Sequence, residues 1–236
     1  MARSPLWQSI AAALRDDLAA GHYRPGDKLP TESELSARFG VNRHTVRRAL
    51  SDLADAGLVH ARRGAGVFVT AQPTDYPLGR RVRLSQNLAA SGRTASRRFT
   101  RLETLPADGA ESAALCLPLG DPVHVVEGVS FADGQPMALF RSVFPGRLDV
   151  LAAVQETGSI TAALAACGVA DYTRASTRIT AKLASPVQAV ALHLSPGAPL
   201  LRSVAVNVDA GGAPVEYGRT WFAGDRVSLT LGDYPS

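Results

Sequence analysis

The chain is predicted to be an α+β protein in two parts, a small helical unit closed by a hairpin and a larger antiparallel sheet carrying helices. Three observations predict this. Apolar residues recur at helical spacing near the N-terminus. Further on, paired apolar runs flank short glycine turns. No uninterrupted apolar run approaches the roughly 20 residues of a membrane span. With 236 residues, 46% hydrophobic and 19% charged, each part is large enough to bury its own core.

A first amphipathic helix is expected over residues 7–20, where Trp7, Ile10, Ala11, Leu14 and Leu18 form one stripe. A polar turn covers residues 21–30. Thr31-Glu32-Ser33-Glu34 then has the spacing of a capping box, in which the ends of Thr31 and Glu34 satisfy each other, and starts a short helix over residues 32–39. Gly40 ends it. Asn42 is a good N-cap for a third helix that turns Val46, Leu50, Leu53 and Ala54 inward until Gly57 stops it. Two helices joined by a tight glycine turn make a helix-turn-helix. Residues 58–61 and 67–70 read as strands around Arg62-Arg63-Gly64-Ala65-Gly66, a hairpin with a basic, glycine-rich tip that serves as a wing.

This predicts a DNA-binding domain over residues 1–70, a linker over 71–77 where Gln-Pro-Thr-Asp-Tyr-Pro shows no periodicity, and a second domain over 78–236. The second domain opens with Arg80, Arg81, Arg83, Arg93, Arg97, Arg98 and Arg101 and no acidic residue among them, a solvated face or an anion site. Strand-like runs at 124–131 and 137–144 meet across Asp133-Gly134, and runs at 200–208 and 215–222 repeat the pattern across Ala210-Gly211-Gly212. Helix-like segments at 159–166 and 186–192 lie between them, which gives an antiparallel sheet with helices.

The third helix opens with Asn42-Arg43-His44-Thr45-Val46-Arg47-Arg48, long polar donors at the end that a recognition helix presents to the major groove. Arginine can donate two hydrogen bonds to one guanine, so Arg43 and Arg47 are the expected base readers, with Asn42, His44, Thr45 and Arg48 beside them. Thr31 and Ser33 sit where the second helix can meet a phosphate, and Arg62, Arg63 and Gly64 let the wing approach the backbone or minor groove. A charge of +4 and a pI near 9.4 permit a polyanionic partner without establishing one.

Taken together, Pro25-Gly26-Asp27-Lys28-Leu29-Pro30-Thr31-Glu32-Ser33-Glu34-Leu35 and Val41-Asn42-Arg43-His44-Thr45-Val46-Arg47-Arg48-Ala49-Leu50 resemble the DNA-binding domain of the GntR family. The resemblance implies that Ser33, Asn42, Arg43, His44, Thr45, Arg47, Arg63 and Gly64 face DNA and that a homodimer binds a palindromic operator, with repression as the family-level expectation. Asp133-Gly134-Gln135-Pro136, Gly158-Ser159-Ile160 and Pro214-Val215-Glu216-Tyr217-Gly218 make the second domain similar to the HutC-type effector domain, UTRA, with a chorismate-lyase-like fold. Within that subfamily, Val41 to Arg48 together with Asp75-Tyr76-Pro77-Leu78 and Arg83-Leu84-Ser85-Gln86-Asn87-Leu88 resemble regulators of phosphonate metabolism.

A small anionic effector, a phosphonate or phosphate-like molecule, is the expected ligand. Ser85 starts an expected helix whose free N–H groups, with Gln86 and Asn87, would attract a dianion. By the resemblance, Arg141, Ser159, Arg178, Tyr217 and Arg219 lie in elements that line the ligand cleft, and arginine suits oxyanions by its bidentate geometry. For each residue alone, an ion pair or surface role is an equal expectation. Strand 124–131 departs from relatives that recognise phosphorylated ligands, because it carries Glu127 and Ser130 where arginine is common. Glu127 is expected either to meet a ligand ammonium or to pair with Arg141. A sugar phosphate or an amino acid derivative is the alternative effector.

Enzyme chemistry finds little support. His22, His44, His60, His124 and His193 show no metal-ligand spacing, Cys116 and Cys167 form no CxxC, and P-loop, nucleophile-elbow and dinucleotide motifs are missing. No cofactor is expected, and a lyase-like enzyme is the remote alternative. Cys116, within the apolar run 113–117, is expected to be a small buried hydrophobe. The first residues lack the apolar core of a signal peptide, so a cytoplasmic protein without disulfides or a membrane role is expected.

Overall fold

The computed structural model describes residues 5–62, 64–70, 73–79 and 94–231. The chain forms two compact units, residues 1–72 and 73–236. In the first, α1 (Leu6–Ala19), α2 (Glu32–Phe39) and α3 (Arg43–Asp55) precede the antiparallel hairpin β1 (Val59–Arg62) and β2 (Gly66–Val69). The α1 stripe buries Ile10, Ala11 and Leu14 against Leu35, Val46, Ala49, Leu50 and Leu53. Local signals set the helix ends. Thr31 and Glu34 form the complete capping box, Gly40 adopts the left-handed conformation (φ 63°) that closes α2, and the Asn42 side chain accepts from the Thr45 N–H at 2.9 Å to open α3.

The second unit is built on a six-stranded antiparallel sheet in the order β4-β5-β6-β9-β8-β7. Its strands are β4 (Ala95–Pro106), β5 (Pro122–Ala132), β6 (Gln135–Pro145), β7 (Tyr172–Leu183), β8 (Pro199–Asp209) and β9 (Pro214–Ala223). On one face, α4 (Gly109–Leu115) and α7 (Pro186–Leu192) cover Val125, Val143, Val129 and Leu139. On the other, α5 (Val150–Thr157) and α6 (Ile160–Ala166) pack over Val126, Phe140 and Phe144. Gly128 in β5 lets the strands close up, since a Cβ there would collide with the Arg98 carbonyl and the Phe140 ring.

The expected linker needs correction. Thr74–Pro77 is strand β3, paired in parallel with β10 (Val227–Thr230), and belongs to the second unit. Thr74 and Tyr76 are buried while Asp75 and Pro77 are exposed, so the segment alternates as a strand must. Its partner lies at the far end of the chain, which is why nothing local announced it. Tyr76 packs on Phe222, with ring centroids 5.0 Å apart, over the same face as α5 and α6. Cys116 is also corrected. It is exposed, in a left-handed C-cap (φ 55°) of α4, with Leu115 taking the buried position before it.

Candidate functional site: a DNA-reading surface and a ligand cavity

In the first unit, the start of α2 and the start of α3 come together. Arg43, His44, Arg47 and Arg48 are exposed along α3, and Ser33 is exposed on the first turn of α2. Arg43 Nη2 donates to Ser33 Oγ at 3.2 Å. Arg47 donates through Nε and Nη2 to the two oxygens of Glu32 at 2.9 and 2.7 Å, a bidentate pair that no sequence signal singles out. The hydrogen bond from Arg47 holds the Glu32 carboxyl below the usual carboxylate range.

Other expected contact residues carry structural duties. Thr31 Oγ1 donates to Glu34 Oε2 at 2.7 Å, and Thr45 Oγ1 donates to its cap, Asn42 Oδ1, at 2.9 Å. Arg48 stacks on the Trp7 ring of α1 at 4.9 Å and so faces its own core helix. Gly64 lies in the wing turn with φ 75°. Arg63 lies outside the described residues.

The second unit contains a cavity of about 250 Å³ on the α5/α6 face of the sheet. Its floor is formed by Phe140 and Ser142 from β6, Ser203, Ala205 and Asn207 from β8, and Glu216, Gly218 and Thr220 from β9. Ser159 and Thr161 at the start of α6, Tyr172 and Arg174 of β7, Arg97 of β4 and Tyr76 of β3 complete it. Glu216, only 9% exposed, accepts from Ser142 Oγ at 2.6 Å on one oxygen and from Asn207 Nδ2 at 2.7 Å on the other. Arg97 stacks on Phe140 at 5.1 Å. The Nε of Arg174 is buried with no hydrogen-bond partner among the described residues. Burial pushes the Tyr76 phenol up, with the Arg174 and Arg97 guanidiniums pulling the other way. The arrangement offers two cations and several hydroxyls around one fixed carboxylate, a chemistry suited to a small ligand that carries both signs of charge.

Of the residues expected to line the cleft, the structure brings only Ser159 to this cavity among those described. There its side chain accepts from the Ala162 N–H at 3.3 Å. Arg141, Tyr217 and Arg219 occupy the opposite face, because their neighbours Ser142, Gly218 and Thr220 take the cavity side of each pleat. Arg141 pairs there with Glu111 at 2.7 Å and with Glu127 at 2.8 Å, the ordinary pairing expected for Glu127. Arg219 approaches Glu111 at 3.3 Å and stacks on Tyr217 at 5.1 Å. Arg178 is exposed on β7. A bulge between Arg174 and Ser176 changes the face along that strand, and Arg174 is the arginine that enters the cavity. Ser85, Gln86 and Asn87 lie outside the described residues.

Among the described residues, no group of three or more His, Cys, Asp or Glu side chains could hold a metal ion. No described helix is long and apolar enough to cross a membrane.

Comparison with known proteins supplies the context. Residues 6–69 match bacterial regulatory proteins of the gntR family, and residues 90–228 match the UTRA domain. An uncharacterised HTH-type transcriptional regulator of Rhizobium meliloti is 40% identical over 96% of this chain and 94% of its own length. The probable transcriptional regulator PhnF of Escherichia coli is 34% identical over 95% of this chain and 94% of its own. The crystal structure of PhnF from Mycobacterium smegmatis aligns with a TM-score of 0.65 and 28% identity, covering 96% of this chain and all of that one.

Proposed function

The chain belongs to the GntR family of bacterial regulatory proteins and carries its UTRA domain, and from that premise we propose that it represses phosphonate uptake or breakdown genes until a small phosphonate releases it. Regulators of this family bind operator DNA and typically act as dimers. The ligand assignment rests on one observation: Arg97 and Arg174, whose Nε is buried without a hydrogen-bond partner among the described residues, line the same cavity as the buried Glu216 carboxylate. A guanidinium pair suits a phosphonate dianion, and Glu216 suits an ammonium, so an aminoalkylphosphonate satisfies both ends. A volume of about 250 Å³ favours a compact ligand over a drug-sized one. The similarity to PhnF proteins points the same way.

The test is fluorescence anisotropy of the purified protein on DNA upstream of its own gene, with random duplex as control, at constant salt. Phosphate, methylphosphonate, aminoethylphosphonate and a sugar phosphate are added in turn. Selective binding weakened five- to 150-fold by aminoethylphosphonate, on the order of the usual allosteric coupling, is the expected result. Release by the sugar phosphate alone would move the ligand to the alternative class, and binding without selectivity would remove the regulatory reading.

Within the same assay, Arg43→Ala is expected to weaken binding to the selected site by about 1–3 kcal/mol more than binding to random DNA, as loss of one bidentate base contact would. Equal losses on both DNAs would reduce Arg43 to a phosphate contact.

A further inference from the structure

The first turn of α2 holds two of the three exposed arginines of α3, Arg43 and Arg47, by different chemistry. Ser33 holds Arg43 with a neutral hydroxyl, whereas Glu32 holds Arg47 with a carboxylate. A guanidinium carries five N–H groups. The Glu32 pair takes the Nε–H and one hydrogen of Nη2, leaving both hydrogens of Nη1 and one of Nη2 free of this contact. Those remaining donors form a second edge of the guanidinium, and Arg47 is 63% exposed, so that edge is open to an incoming molecule.

We infer that Glu32 is a positioning residue that sets sequence specificity, holding Arg47 by one edge so that the other edge is ready to grip a base. The inference rests on the DNA-binding reading above. Two opposed effects make Glu32 a determinant of specificity rather than of affinity. A long arginine side chain loses rotamer freedom when it docks, and a pairing already made in the free protein lowers that cost at the matching base. The same carboxylate repels the phosphate backbone that every DNA sequence presents, so it weakens indiscriminate binding. A carboxylate in the first turn of a helix also favours the helix dipole, but that contribution is blind to the sequence of the DNA.

The experiment uses the full-length protein. A random-sequence duplex pool is first enriched on the wild type, and anisotropy at constant salt then measures the enriched site and a random duplex for wild type, Glu32→Gln, Glu32→Ala, Arg47→Ala and the double variant Glu32→Gln/Arg47→Ala. Thermal unfolding of each variant checks that the first unit is folded. Glu32→Gln is expected to leave binding to random DNA equal or tighter while weakening the enriched site, so that their ratio falls roughly tenfold, within the range of one bidentate base contact. In the Arg47→Ala background, Glu32→Gln should shift both DNAs alike. An unchanged ratio in folded Glu32→Gln and Glu32→Ala, or an equal fall with and without Arg47, overturns the inference while leaving DNA binding standing. A wild type that enriches no sequence overturns the DNA-binding reading and this inference with it.

Discussion

Replacing Glu111 with alanine is expected to destabilise the second unit by about 3–5 kcal/mol, the usual result of stripping the partner from a buried charge. Glu111 is 2% exposed and serves two purposes. One oxygen accepts from the Asp108 N–H at 3.1 Å and completes the capping box of α4, while the other accepts from Arg141 at 2.7 Å and Arg219 at 3.3 Å. Its removal leaves two half-buried guanidiniums to Glu127, at 2.8 Å from Arg141, and Asp108, at 3.7 Å from Arg219. It also removes the reciprocal half of the capping box of a helix that packs on β6 and β9, leaving only the Asp108 side chain to cap it. Urea unfolding followed by Trp221 emission in a Trp7→Phe background reports on this unit, because the two tryptophans lie in different units. A loss under about 1 kcal/mol would mean that the network behaves like an exposed salt bridge.

The second large effect is expected at Arg174. In Arg174→Met, which keeps much of the volume and loses the charge, affinity for the phosphonate should fall about ten- to hundredfold, in line with 1.5–3 kcal/mol for a hydrogen bond to a charged group. Calorimetric titration of the full chain reads this directly. Arg178→Met is the matched control on the same strand. Arg178 is exposed, outside the cavity, and its loss should change ligand affinity by no more than about 0.5 kcal/mol. If the two variants respond alike, the anion sits elsewhere.

The contrast between those two arginines shows how far sequence could go. In the first unit the signals are local. Thr31 and Glu34 are three residues apart, Gly40 and Asn42 punctuate adjacent helices, and the α1 stripe is regular, so the helices followed directly from the residues. In the second unit, the face that a side chain takes depends on pairing across the sheet. Strand β6 is buried along most of its length, without the alternation that would have told Phe140 and Ser142 from Arg141. The bulge beside Arg174 reversed the parity on β7. Strands β4 and β7 are largely exposed edges with polar sequences, and β3 pairs with the distant β10, so none of the three carries a hydrophobic pattern of its own. Glu32 escaped notice for another reason. It sits inside a capping box, which already accounts for an acidic residue in the first turn.

Strand β3 makes the cavity wall and the chain's way in one and the same object. Tyr76 lines the cavity, and the strand that carries it is held by its parallel pairing with β10. That pairing means the strand cannot shift without breaking backbone hydrogen bonds to β10, so the phenol is presented to a ligand by the ladder as well as by its packing on Phe222.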